Sequence, residues 1–379
     1  MMKHHLLVLV ALFTPACSGG TSSPDGGSDS RLGTGPDAGT APTPGDEGYA
    51  RVATALSVGE TNACAIVSGS VYCWGGVGFG ADLLPRRVES LKTPATLISG
   101  GDGKNCAVVK GNLFCWVGTK QLPAVTGLPS EVTAVSVGFN YDCAIATGKA
   151  YCWGKNNLGQ LGDGTRTDSE AAVEVQGLPG EPTAIGTGEF FACALVAGDV
   201  YCWGDNNEGQ LGDGTQTMST HPVKVKSLPS SVSSIAVGLI YACALADGAV
   251  YCWGYNYSGS LARGGGPGAC PVPAQVAGLG PATAISASSY STCALAGDVY
   301  CWGSGRFYDD PTTHQQYSHV PVPVGFSSEV TDMRVGDQAG CAIVSGAVYC
   351  WGNNYYGVLG DGSQVSSEIP VKTDFSAYF

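Results

Sequence analysis

Positive charge is scarce in this chain: 18 Lys and Arg stand against 31 Asp and Glu over 379 residues, a formal net charge of −13. A surface of that sign repels phosphate backbones and anionic lipid heads, so nucleic acid is not an expected partner. Histidine is sparse as well. Beyond the N-terminal residues only His221, His314 and His319 occur, all in irregular stretches. No Ser/His/Asp or Cys/His arrangement can be assembled from them, and the expectation is a non-enzyme that uses no metal and no cofactor. Long apolar runs are missing too. The one near the N-terminus, residues 6–13, falls far short of the roughly 20 residues that cross a bilayer.

That short run follows Lys3 and reads as the core of a secretory signal. The tetrapeptide Thr14-Pro15-Ala16-Cys17 after it resembles a bacterial lipobox, which would make Cys17 the lipidated first residue of an exported protein, lipid-anchored to a membrane of the cell envelope or secreted. Residues 18–48 are Gly, Ser, Thr, Pro and Asp with almost nothing apolar, the composition of a flexible tether. The expected organisation is therefore a signal over 1–17, a tether over 18–48 and a folded domain over 49–379.

Cysteine, by contrast, is abundant. Sixteen are present, and fourteen fall in a repeated unit of which CALVAGDVYCWG is one copy. The pairs are Cys64 with Cys73, Cys106 with Cys115, Cys143 with Cys152, Cys193 with Cys202, Cys243 with Cys252, Cys293 with Cys301 and Cys341 with Cys350. Two strands joined by the two-residue loop Ala197-Gly198 put Val196 opposite Asp199. Counting back by alternation then makes Cys193 and Cys202 a directly opposed, non-hydrogen-bonded pair with Cα atoms roughly 4.5 Å apart, within disulfide reach. The spacing therefore predicts seven hairpin staples, and staples imply an oxidising compartment. The sixth copy is one residue shorter and predicts a three-residue loop. Cys270 has no hairpin partner and is read either as a free thiol or as paired outside the chain.

Around each hairpin lie four short apolar runs, clearest over residues 222–254 as PVKV, SVSSIAVG, CALA and AVYCWG, with a period close to 50 in the later copies. Four strands per repeat at that period indicate a β-propeller blade. The first copy opens without a PVxV run, and the chain ends with Ile369-Pro370-Val371-Lys372 and no repeat behind it. The fold class expected is all-β, a seven-bladed propeller of four-stranded antiparallel blades closed by the C-terminal strand in the first blade.

The pattern WGxNxxGQLGDGT, present from Trp153 to Thr165 and from Trp203 to Thr215 with a relative from Trp351 to Ser363, resembles the repeat of the regulator of chromosome condensation family. That resemblance, covering about residues 50–375, implies a seven-bladed propeller. The family includes a nuclear guanine-nucleotide exchange factor and a secreted bacterial inhibitor of β-lactamases. The paired cysteines depart from its intracellular members, so exchange activity and chromatin binding are not carried over.

Within the long loops, GQLGDGT has neither the strand-to-helix context nor the lysine of a phosphate cradle. Asp163, Asp213 and Asp361 are expected to cap turns rather than bind calcium. The seven tryptophans are expected to pack between blades.

Function is expected where copies differ. The segment just before each first cysteine shares a face with the long loop after each tryptophan, because connections in a meander alternate between the two ends. The first set contributes Phe139, Tyr141, Phe190, Phe191, Tyr241 and Tyr290, and the second Tyr255, Tyr257, Phe307, Tyr308, Tyr355 and Tyr356. An aromatic face of this kind fits a protein partner, here an extracytoplasmic one, on a monomeric scaffold. The competing reading makes each aromatic a plug for its own blade edge. The alternative function is a carbohydrate-binding or carbohydrate-active propeller using the same aromatics with Glu189 and Asp142.

Overall fold

The computed structural model describes residues 52–376 apart from 77–81, 92–93, 102, 265, 305–316 and 327–328. The expected signal, tether and Cys17, together with Phe307, Tyr308 and His314, lie outside the described residues.

Seven four-stranded antiparallel sheets form the blades, over residues 53–87, 95–121, 132–174, 182–224, 232–275, 284–323 and 330–372. In blade 4 the strands run Pro182–Thr187, Phe191–Val196, Asp199–Gly204 and Ser219–Lys224 from the axis outward. Each blade's first strand touches those of its neighbours, and the circle closes where Ala53–Val58 meets Val330–Val335. No helix among the described residues is long and apolar enough to cross a membrane.

The hairpins follow the spacing. Cys193 stands opposite Cys202 and Val196 opposite Asp199. All seven pairs are bridged, with Cα atoms 4.0 to 4.1 Å apart. Both loop residues take positive φ, Ala197 at 49° and Gly198 at 84°, the twist-matched turn that such hairpins select. The sixth hairpin differs from expectation: Ala296 pairs with Asp298, so only Gly297 at φ 84° stands between the strands instead of three residues. Glycine's freedom at positive φ makes so short a reversal accessible. No cysteine among the described residues is free, Cys270 included, so the free-thiol alternative falls.

The ring is not closed as expected. Ser367–Lys372 pairs with Ala347–Gly352 of blade 7, placing Val371 opposite Cys350, while blade 1 is completed by its own outer strand Asp82–Arg87. Each PVxV run is the last strand of the blade before it. The long loop is the reason: it folds back on itself and returns the chain antiparallel to the strand it left, instead of carrying it to the next blade. The asparagine of the motif holds that fold-back. Asn206 Nδ2 donates to Asp213 Oδ1 at 3.2 Å and to Thr217 O at 3.1 Å, while its Oδ1 accepts from Leu211 N at 2.9 Å. The turn-capping role of the aspartates also appears, with Thr165 N, Thr215 N and Ser363 N donating at 2.9 Å to Asp163, Asp213 and Asp361.

The tryptophans lie between blades. Trp74, Trp203, Trp253, Trp302 and Trp351 are fully buried, each removing roughly 4–6 kcal/mol worth of apolar surface from water. Trp253 of blade 5, for example, joins Phe191, Leu195 and Val225 of blade 4 in one cluster.

Candidate binding face

Because the long loops are internal to blades, two kinds of loop share one face: the short ones from first to second strand and the long ones from third to fourth. The tight glycine turns and the interblade connections lie opposite. The short loops converge on the axis and enclose a cavity of about 400 Å³ at the mouth of the ring. Glu60, Phe139, Glu189, Tyr290 and Asp337 line it, and among the described residues no Lys, Arg or His does. Asp337 accepts from Ser289 N at 2.9 Å and from Ser289 Oγ at 2.7 Å, which joins two loops of neighbouring blades. Partial burial, with the nearby Asp205 charge second, pushes the Glu189 carboxyl above its ordinary range. The acid-lined mouth favours cations.

The predicted aromatics divide into two groups. Four are exposed on this face: Phe139 at 53%, Tyr257 at 43%, Tyr355 at 69% and Tyr356 at 40%. Tyr255, Phe190 and Tyr290 are half-buried beside them. Tyr257 sits between two of its kind, its ring centroid 4.8 Å from that of Tyr290 and 6.3 Å from that of Tyr255. Tyr355 and Tyr356 meet edge to face at 5.1 Å.

Tyr141, Phe191 and Tyr241 must be removed from the binding set, since all three are fully buried. Each is the first residue of its blade's second strand and reaches the following blade. The Tyr241 hydroxyl donates to Ser291 O at 2.7 Å and accepts from Thr292 Oγ1 at 2.9 Å, and the Tyr141 hydroxyl donates to Phe191 O. These are the plugs of the competing reading, acting between blades. Parity could have revealed them. Two residues before a buried cysteine on a strand, a side chain points to the same face as the cysteine.

The acids of the carbohydrate alternative do not assemble into one site. Glu189 lines the mouth, whereas Asp142 is buried between blades 2 and 3, with its Oδ2 2.6 Å from Lys104 Nζ. Burial raises the Asp142 carboxyl above its usual range even against the Lys104 charge. Sequence spacing gave no sign of this ion pair. Among the described residues no group of three or more His, Cys, Asp or Glu is poised to hold a metal ion.

Fold and face together define a seven-bladed propeller with one variable loop surface. More particularly, the sequence profile of the regulator of chromosome condensation (RCC1) repeat matches residues 147–195, 197–245, 247–295 and 345–377. Human WBSCR16 is 20% identical, covering 78% of this chain and 85% of its own, with a TM-score of 0.69. Prp20p from Saccharomyces cerevisiae is 19% identical over 77% of this chain and 82% of its own, with a TM-score of 0.67. Yeast RCC1 (Prp20), solved with Kap60 bound to it, is 17% identical with a TM-score of 0.65, covering 77% and 80% of the two chains. At these identities the likeness is one of fold. No curated protein sequence matches the chain.

Proposed function

We propose that this chain is an exported, lipid-anchored propeller that acts as a non-enzymatic protein-binding scaffold, with an extracytoplasmic protein as partner. The observation that carries the reading is that every exposed aromatic among the described residues, Phe139, Tyr257, Tyr355 and Tyr356, lies on one loop face. Rigid aromatics on a fixed ring supply contact area at small entropic cost. The acidic mouth on the same face suits a basic side chain of the partner. Seven disulfides fit an oxidising compartment, and the solved structure of Kap60 bound to yeast RCC1 (Prp20) is a precedent for a protein partner.

The test replaces Phe139, Tyr257 and Tyr355 together with alanine and compares capture of cross-linked partners from envelope extract with that of the native chain. The expected result is loss of a specific partner and, for the native chain, weaker capture as salt rises. Equal recovery of every protein by the two forms would sink the proposal.

A further inference from the structure

Four of the tryptophans are capped by one device. Nε1 of Trp203, Trp253 and Trp302 donates to the backbone oxygen of Gln160, Gln210 and Ser260 at 2.9 Å, and Nε1 of Trp74 to that of Val358 at 2.7 Å. In each case the capping carbonyl belongs to the long loop of the preceding blade. The next residue in every such loop is a wholly buried leucine: Leu161, Leu211, Leu261 and Leu359. Farther along, Gly164 N donates to Thr220 O at 3.1 Å, Gly214 N to Pro271 O at 2.9 Å and Gly362 N to Leu83 O at 3.1 Å. The long loop of one blade is thus seated on the tryptophan and the outer strand of the next.

Blade 2 has no such loop. Its strands Asn112–Val117 and Lys120–Gln121 are joined through Gly118 and Thr119 alone. The seat on blade 3 is nevertheless complete. Trp153 corresponds to Trp203, and Glu170 and Ala171 to Thr220 and His221. These three residues line a cavity of about 580 Å³, whose wall from blade 2 includes Leu122 and Val125. At its floor Asp142 stands opposite Trp153 on the ladder, where the capped blades have Ala63, Ala192, Ala242 and Thr292. Asp142 is held there by Lys104, with Nζ 2.6 Å from its Oδ2. Among the described residues nothing replaces the leucine.

We propose that the seat between blades 2 and 3 is a docking site for a leucine-bearing glycine turn of another polypeptide, bound as this chain's own loops are bound around the ring. The leucine side chain fills the cavity beside Leu122 and Val125, and a backbone N–H of the turn donates to Glu170 O. The lysine–aspartate pair stays at the floor. This proposal deepens the scaffold reading but uses a surface distinct from the exposed aromatics.

The test uses a cyclised peptide of the sequence DNNEGQLGDGTQ, which is that of residues 205–216, titrated into the full oxidised chain by calorimetry and followed by the indole N–H resonance of Trp153. Saturable binding is expected, with a shift of that resonance. Replacing the peptide's leucine with alanine should weaken binding about tenfold or more. The half-buried Ala171→Tyr should block the seat while leaving the fold intact, whereas the Phe139, Tyr257, Tyr355 triple alanine should bind normally. Absence of binding at millimolar peptide, indifference to the leucine or to Ala171→Tyr, or loss of binding in the triple alanine would overturn the proposal. As a second check, grafting the same loop between Trp116 and Lys120 of blade 2 should abolish peptide binding and raise the unfolding temperature; a graft that folds and still binds would place the peptide elsewhere.

Discussion

Tyr241 carries its phenol into a fully buried site, where it donates to one backbone oxygen and accepts from one threonine. Removing the hydroxyl in Tyr241→Phe should cost about 1 kcal/mol and removing the ring in Tyr241→Ala about 3–5 kcal/mol, both measured by denaturant unfolding. Burial raises the ionisation of this phenol and that of Tyr141 well above the ordinary value near 10. Above about pH 10 the unfolded chain therefore releases these protons while the folded chain keeps them. The unfolded state then binds fewer protons, so stability falls as pH rises, and Tyr241→Phe should flatten part of that fall between about pH 9 and pH 11. An unchanged slope would mean that the phenol is not held neutral. At this scale the sequence was only half legible. Tyr141 and Phe139 are equally aromatic and two residues apart, yet one begins a strand and points inward while the other sits in the turn and faces out.

The stapled hairpin is the element the sequence specified best, because a two-residue loop leaves one possible register. Replacing Cys193 and Cys202 with alanine should lower stability by about 2–3 kcal/mol if the bridge acts by restricting the unfolded chain. Peptide mapping under non-reducing conditions should find each of the seven hairpin cysteine pairs bridged within its own hairpin, and a bridge between two of these hairpins would contradict the pairing. The phase of the blade was harder to read. A PVxV run has a blade on either side, and sequence order is the same whether the run ends one or starts the next. What decides it is the interior of the long loop, where Asn206 gathers the strand ends by hydrogen bonds that no hydrophobic pattern announces. The Lys104–Asp142 pair was hidden for a similar reason: its partners belong to different repeats and meet only once the ring exists.

At the scale of the molecule the ring is shut by packing between its first and last blades. Phe375 meets Tyr72 and Trp74 edge to face at 5.7 and 5.8 Å, Trp74 Nε1 donates to Val358 O, and Ala53 N donates to Gly346 O at 2.9 Å. Gly336 lies against the backbone of Gly59 at the same seam, where a side chain would have no room. Half-buried Phe375 should contribute less than a core aromatic, so Phe375→Ala is expected to cost about 1–3 kcal/mol and to increase amide exchange first in blades 1 and 7. Uniform loss of protection around the ring would show that the seam is not its weakest joint.

Since each blade takes all four strands from one uninterrupted stretch of chain, no early segment has to wait for a late one before its sheet is whole. A chain delivered N-terminus first can finish and oxidise its blades in order of arrival, each new one building on the edge of the last. The final act of assembly is then a contact between two finished surfaces, without the threading of a strand.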